Sequence, residues 1–153
     1  MANQGGINVR PVAAADYDGW RAIYLGYAEF YHVSPDEDAI ATVWGWVTDP
    51  DHEMRCDIAV EDGGKVVGFA QYHGTPRTLG GNTICYLSDL FVDSETRSGG
   101  VGRALMDHVI EVCRQEGWPK LRWLTAEDNE RARALYDQYQ ERSPFIVYYV
   151  DAD

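Results

Sequence analysis

Hydrophobic and polar positions along this chain follow two periods, and their order predicts the fold. The run INVRPV predicts a short first strand, and the aromatic residues of DYDGWRAIYLGYAEFY recur at helical spacing. A second helix is predicted over DEDAIATVWGWV, beginning where Asp36 follows Pro35, because a carboxylate is favoured in the first turn of a helix. The chain therefore opens with a strand and two helices.

Strand-like alternation dominates the middle of the chain. The runs CDIAVE and KVVGFAQYHG are separated by a hairpin signal, Asp62-Gly63-Gly64, and TICYLSDLFV continues the meander. The pattern then predicts a helix over 101–116, a strand at LRWLT, a helix near 129–140 and a final strand at FIVYYV. The predicted fold class is α/β: a mixed sheet in which an antiparallel meander continues into βαβ crossovers, with helices on both faces.

Length and composition indicate one globular domain spanning residues 1–153. The chain has 153 residues, of which 45% are hydrophobic and 25% are charged. It has no long apolar run, and its first residues lack the order of a signal peptide, so we expect a cytoplasmic protein with no membrane segment. The three cysteines are widely spaced, and we expect neither a disulfide nor a metal site.

The charge of the chain limits its partners. A net charge of -12 at neutral pH argues against nucleic acid, because phosphate binding needs a basic surface. Residues 36–57 hold seven carboxylates against the single basic residue Arg55. This acidic segment is either a solvated surface or a rim that attracts cationic substrates.

A glycine-rich loop, RSGGVGRA, stands where the strand at DLFV hands over to the helix over 101–116. Backbone amides at a helix start have no carbonyl partners and point toward one place, and glycines allow a ligand to approach them. The loop therefore predicts an anion site. Its spacing fits neither a P-loop nor a dinucleotide fingerprint, in which Gly or Ala would stand at Leu105.

The spacing Arg97-x-x-Gly100-x-Gly102 after DLFV resembles the coenzyme A loop of the GCN5-related N-acetyltransferases. The segment LTAEDNERARALYDQY is similar to a later segment of that family, in which an asparagine precedes a tyrosine by seven residues; here these are Asn129 and Tyr136. The resemblance covers about residues 84–140. It is strongest toward a branch that acetylates small amines, polyamines or D-amino acids.

The resemblance implies acetyl-CoA as cosubstrate and a set of residues that bind it. The pyrophosphate would lie on the loop, and the pantetheine arm would pair with the strand end Leu90, Phe91 and Val92 as an added strand. Asn129 would contact the same arm, although its position also fits a helix cap. The residues implied at the loop are Arg97, Ser98, Gly99, Gly100, Val101, Gly102, Arg103 and Ala104.

The resemblance also implies a catalytic acid and leaves the base open. Tyr136 would protonate the departing thiolate, although without the motif it would be an ordinary core or rim aromatic residue. Ser88 stands where relatives carry a glutamate, and it could hold a water that passes the proton to a carboxylate. Asp89 is the first candidate for that carboxylate, but alternation along a strand lets only one of the two face the cleft unless a bulge intervenes. An amine that arrives neutral would need no base.

The acceptor site is predicted from the aromatic and acidic segment after the first helix. The aromatic candidates to bind a cation are Phe30, Tyr31, Trp44 and Trp46, and the acidic candidates are Asp36, Glu37 and Asp38. The alternative is that the aromatic residues belong to the core. We expect an N-acetyltransferase that acts directly on a primary amine of a small, cationic substrate: a polyamine, a diamine or an amino acid. The alternatives are a non-catalytic acyl-CoA sensor and an enzyme that acetylates a protein lysine or N-terminus. By family resemblance we expect a homodimer.

Overall fold

The computed structural model describes residues 6–153, except for the side chains of Arg97 and Ser98. One five-stranded sheet, in the order β1-β2-β3-β4-β5, organises this part of the chain. Four strands form an antiparallel meander, and the fifth is parallel to β4. The strands are β1 (Ile7–Pro11), β2 (Arg55–Glu61), β3 (Val66–Arg77), β4 (Asn82–Val92) and β5 (Leu121–Trp123). The predicted mixed sheet is confirmed.

Four α-helices connect or flank these strands: α1 (Tyr17–Phe30), α2 (Glu37–Thr48), α3 (Val101–Glu116) and α4 (Glu130–Tyr136). Asp36 caps α2, since its Oδ1 accepts a hydrogen bond from the amide of Ala39 at 2.8 Å. Gly117 ends α3 in the left-handed region, with φ of 74°. The connection from β4 through α3 to β5 is the predicted βαβ crossover.

The helices pack on both faces of the sheet. On one face α1 and α2 bury an aromatic and aliphatic cluster against β2 and β3, built around Trp20, Ile40, Ile58 and Phe69. On the other face, β2 and β3 contribute their alternate positions Ala59 and Ala70. Helix α3 packs there with buried residues at helical spacing: Val101, Leu105, Met106, Val109 and Val112. The sheet is therefore buried on both sides over its centre.

The predicted final strand is wrong. Residues 141–153 contain neither helix nor strand, and the side chains of the FIVYYV run are between 51% and 90% exposed. The run has the composition of a strand, but a strand also needs a hydrogen-bonded neighbour, and β5 has β4 as its paired neighbour in the described sheet. The second predicted crossover, from β5 through α4, is therefore missing from this structure.

Cys56, Cys85 and Cys113 are buried free thiols. Within residues 6–153, every helix is too short or too polar to cross a membrane.

Candidate active site

A β-bulge in β4 places two polar residues on the same side of the sheet. Gln71 of β3 pairs with Asp89, whereas the next residue, Tyr72, pairs with Leu87, so Ser88 is an extra residue on β4. The bulge breaks the alternation of the strand, and Ser88 and Asp89 both line one cavity. It removes the geometric objection that only one of these residues can face the cleft.

Asp89 is held by a chain of buried hydrogen bonds. The Nε2 of Gln71 donates to Oδ2 of Asp89 at 2.8 Å, and the indole Nε1 of Trp20 donates to Oε1 of Gln71 at 2.9 Å. An indole nitrogen is only a donor, so it fixes the carbonyl end of the Gln71 amide toward Trp20 and the NH₂ end toward Asp89. Gln71 and Trp20 are 2% and 0% exposed. The carboxylate of Asp89 is therefore oriented from within the core.

Three tyrosines surround the same carboxylate from α1 and the residue after it. Burial first, and then the nearby charge of Asp89, raise the pKa of Tyr27 well above the usual range. Burial and the Asp89 charge also raise the pKa values of Tyr24 and Tyr31. All three hydroxyl groups therefore keep their protons at neutral pH and can act as hydrogen-bond donors.

These residues belong to a cavity of about 380 Å³, called here the aromatic pocket. It lies between α1, α2 and the bulge. Its lining residues are Tyr24, Tyr27, Ala28, Tyr31, Val33, Pro35, Val43, Trp46, Met54, Gln71, Ser88 and Asp89.

A second cavity of about 400 Å³, called here the cleft, runs between the end of β4 and α4. Tyr27, Tyr31 and Ser88 line both cavities, so the two adjoin at the bulge. The other lining residues of the cleft are Phe30, Leu87, Leu90, Phe91, Val92, Gly100, Gly102, Arg103, Trp123, Leu124, Thr125, Asn129, Arg131, Ala132, Leu135, Tyr136 and Gln138.

Tyr136 lies in the wall of the cleft. Its ring packs edge-on against Trp123, with centroids 5.4 Å apart. Burial, and to a smaller extent the nearby Tyr31, raises the pKa of Tyr136 to about 12. The hydroxyl is therefore protonated throughout the physiological range, as a proton donor must be before the reaction.

The glycine loop forms one end of the cleft. Gly100 begins α3 in the left-handed region, with φ of 78°, and the space over its Cα is open. The first-turn amides of Val101, Gly102 and Arg103 have no preceding helical carbonyl to bond. The predicted loop residue Ala104 differs from these three, because its amide donates to the carbonyl of Gly100 at 3.0 Å and is already used by the helix.

Other predicted loop residues differ in how they relate to the cleft. Gly99 ends a 3₁₀ turn, Ser94–Gly99, that leads into α3, and the side chains of Arg97 and Ser98 lie outside the described residues. Arg103 lines the cleft and is tied down: its guanidinium hydrogen-bonds the Oε1 of Gln138 and lies 5.4 Å over the ring of Tyr139.

Asn129 both caps a helix and lines the cleft. Its Oδ1 accepts from the amide of Ala132 at 3.2 Å and caps α4, while the residue also lines the cleft. A capping oxygen leaves the NH₂ end of the amide as a possible donor to a ligand.

The predicted acceptor residues are only partly brought together. Tyr31 lies at the junction of the two cavities, and Phe30 lines the cleft. Asp36 and Trp44 lie outside the described lining of both cavities: Asp36 caps α2, and Trp44 packs on Trp20 with ring centroids 5.0 Å apart. Trp46 lines the aromatic pocket, whereas Trp44 does not, because side chains two positions apart on a helix point in nearly opposite directions.

Sequence reasoning missed Gln71, Trp20 and Tyr27 as parts of this site. A polar Gln71 within the apolar run VVGFAQY is a signal of a buried functional group, since a buried amide needs partners. Its partners Trp20 and Asp89 lie 51 and 18 residues away in sequence, and only the fold shows that they meet.

Comparison with known proteins agrees with this geometry. The profile of the Acetyltransferase (GNAT) family matches residues 17–140. The D-amino-acid N-acetyltransferase HPA3 of Saccharomyces cerevisiae is 25% identical over 93% of this chain and 89% of its own length. YhfO, an uncharacterized N-acetyltransferase of Bacillus subtilis, is 30% identical over 93% and 95%. The solved structure of the aminoglycoside N-acetyltransferase AAC(6')-Iy with CoA superposes with a TM-score of 0.81 at 19% identity, covering both chains fully.

The chain belongs to the GNAT family and is an acetyl-CoA-dependent N-acetyltransferase. The residues present fit this cosubstrate: the cleft joins an anion-binding helix start, open above Gly100, to the bulge beside Asp89. Acetyl-CoA has a pyrophosphate for the helix start and a narrow arm for the cleft.

Proposed function

We propose that this enzyme transfers the acetyl group directly to the primary amine of a small molecule bound in the aromatic pocket. The observation that carries the proposal is the junction of the two cavities at the bulge. Asp89 reaches one cavity and Tyr136 the other, while Ser88 lines both. A base and an acid thus stand on opposite sides of the place where an amine would meet a thioester.

The cleft residues would hold the cosubstrate, which supplies an acetyl group activated as a thioester. The amides of Val101, Gly102 and Arg103 would bind the pyrophosphate, supported by the positive end of the α3 dipole. The end of β4, Leu90 to Val92, and Asn129 would lie along the pantetheine arm. Backbone amides of β4 would stabilise negative charge on the carbonyl oxygen.

Two proton movements accompany the transfer. As the amine nitrogen bonds to the acetyl carbon and the carbon–sulfur bond breaks, the amine gives up a proton and the sulfur gains one. Asp89, oriented by Gln71, would accept the first proton directly or through a water held by Ser88. Tyr136 would donate the second.

Direct transfer is supported by the positions of the cysteines. Cys56, Cys85 and Cys113 are all buried, and the described lining of the two cavities contains none of them. An acyl-enzyme on cysteine needs an accessible thiolate beside the acetyl donor.

We also propose that residues 1–153 act as one acetyltransferase domain and that two copies form a homodimer. The exposed apolar run Phe145–Val150 supports a partner surface.

The test is release of free thiol from acetyl-CoA by the purified protein, with polyamines, diamines, L- and D-amino acids and a basic peptide as acceptors. Turnover with a small amine is expected. Asp89→Asn should lower kcat/KM by about 10²-fold or more, while Asp51→Asn, an exposed carboxylate outside both cavities, should leave it unchanged. Binding of acetyl-CoA without turnover on any amine would favour an acyl-CoA sensor, and turnover on the peptide alone would favour a protein acetyltransferase.

A further inference from the structure

The aromatic pocket contains a single charged side chain. Of its described lining residues, Asp89 is the one aspartate or glutamate, and none is a lysine, arginine or histidine. Four lining residues are aromatic: Tyr24, Tyr27, Tyr31 and Trp46. Val33, Pro35, Val43 and Met54 supply aliphatic surface. The wall is therefore apolar except at the bulge.

The single charge is fixed at the junction with the cleft. Gln71 donates a hydrogen bond to Asp89, and Asp89 directly follows Ser88, which lines both cavities. An ammonium group attracted to this carboxylate is thereby placed beside the reacting carbonyl. The rest of the acceptor must then extend along the apolar wall.

The acidic segment 36–57 does not add charge to the pocket. Asp36 caps α2, Glu37 forms an ion pair with Arg21 at 2.5 Å, and Asp57 is buried against His108 on the other side of the sheet at 2.9 Å. Within the described lining, the members of this segment are Val43, Trp46 and Met54, all uncharged.

We propose that the acceptor is a primary amine with a single positive charge and an apolar, aromatic or aliphatic body. This inference rests on the proposed function and names its substrate class. Asp89 binds the ammonium group, and the aromatic and aliphatic side chains of the pocket bind the body by burying apolar surface.

The same wall disfavours the two substrate classes expected from the sequence. The second ammonium of a diamine or polyamine would lose water against aliphatic and aromatic groups with no second carboxylate, which is costly. The carboxylate of a free amino acid would lie close to Asp89, with no cation among the described lining residues to balance it.

The test compares kcat/KM for two matched pairs of acceptors at saturating acetyl-CoA. Pentylamine and cadaverine differ only by a second amine, and phenethylamine and phenylalanine differ only by a carboxylate. The expected result is a preference of about tenfold or more for pentylamine over cadaverine and for phenethylamine over phenylalanine. Equal or reversed preference in either pair would overturn the inference.

A variant adds the missing charge. Val33 lines the pocket and is 57% exposed, so Val33→Asp should be tolerated by the fold. It is expected to raise the ratio of cadaverine to pentylamine turnover about fivefold, the effect of one partly solvated ion pair. Leu79→Asp, at an 87% exposed position outside both cavities, makes the same charge change and should leave the ratio unchanged.

The outcomes separate this inference from the proposed function. Turnover that prefers cadaverine or phenylalanine would overturn the monocationic, apolar acceptor while leaving the small-amine acetyltransferase intact. No turnover with any of the four amines would overturn the inference. Only if the polyamines, diamines and other amino acids are also inactive, while acetyl-CoA binds, is the proposed function overturned as well. An identical response of the Val33→Asp and Leu79→Asp proteins would show that the pocket does not bind the distal end of the acceptor, and would also overturn the inference.

Discussion

At the scale of single residues, Tyr136 shows how burial prepares a group for catalysis. Burial raises its pKa to about 12, so its proton is retained where an ordinary tyrosine, with a pKa of about 10, would be half ionised at pH 10. An acid acts in its protonated form, so a raised pKa moves any loss of activity to higher pH.

We therefore expect kcat to show no falling limb between pH 7 and pH 10, measured with a saturating amine. Tyr136→Phe should lower kcat by about 10²-fold and leave the Kd for acetyl-CoA nearly unchanged, because the ring and its packing on Trp123 remain. Tyr86→Phe, outside both cavities, is the control. A decline in kcat centred near pH 10, or an equal loss of binding and turnover, would contradict the role of Tyr136 as proton donor.

Gln71 acts through Asp89 and is a positioning residue. Gln71→Leu removes the donor to Asp89, so kcat for the amine should fall about tenfold while acetyl-CoA binding is retained. Trp20→Phe keeps an aromatic ring but removes the indole donor that fixes the amide, and it should produce a smaller loss in the same direction. If both variants lower the melting temperature but keep the wild-type kcat, the hydrogen bonds from Trp20 to Gln71 and from Gln71 to Asp89 have only a structural role.

At the scale of elements, the start of α3 is the place where a larger, charged side chain would enter the proposed pyrophosphate site. A Cβ at Gly102 would stand 3.1 Å from the Cδ2 of Leu135, across the cleft. Gly102→Glu adds both bulk and negative charge beside the first-turn amides, so binding of acetyl-CoA, measured by calorimetry, should fall below detection. Gly63→Glu makes the same change at a hairpin position with open space and should bind normally. Unchanged affinity in the Gly102 variant would remove the pyrophosphate assignment.

The elements also show what sequence can predict. Helix α3 is predicted to the residue, because its flanking glycines and its apolar spacing are local signals. Asn129 and Tyr136 are predicted from motif spacing along the chain, and both line the cleft. The bulge at Ser88 is not readable from alternation, and FIVYYV is wrong as a strand, because both depend on the partner strand and not on the segment itself.

At the scale of the whole molecule, the C-terminal segment is unusual because its apolar side chains do not pack into the core. The run Phe145–Val150 is apolar and exposed throughout, with Val150 90% exposed, and a contiguous patch of this kind marks an interaction surface. The sheet ends at β5, a three-residue edge strand. A second copy of the chain can cover both features, since in a two-fold dimer each copy offers the same surface to the other.

We accordingly expect the native protein to sediment as a dimer at micromolar concentration. Replacing Ile146 and Tyr148 by lysine puts two charges into the exposed run and should shift the protein to a monomer, because burying unpaired ammonium groups in an apolar interface is costly. Leu79→Lys with Val33→Lys also adds two charges, at exposed positions in other segments, and should leave the dimer intact. A native protein that sediments as a monomer, or variants that all remain dimeric, would show that this segment does not hold two copies together.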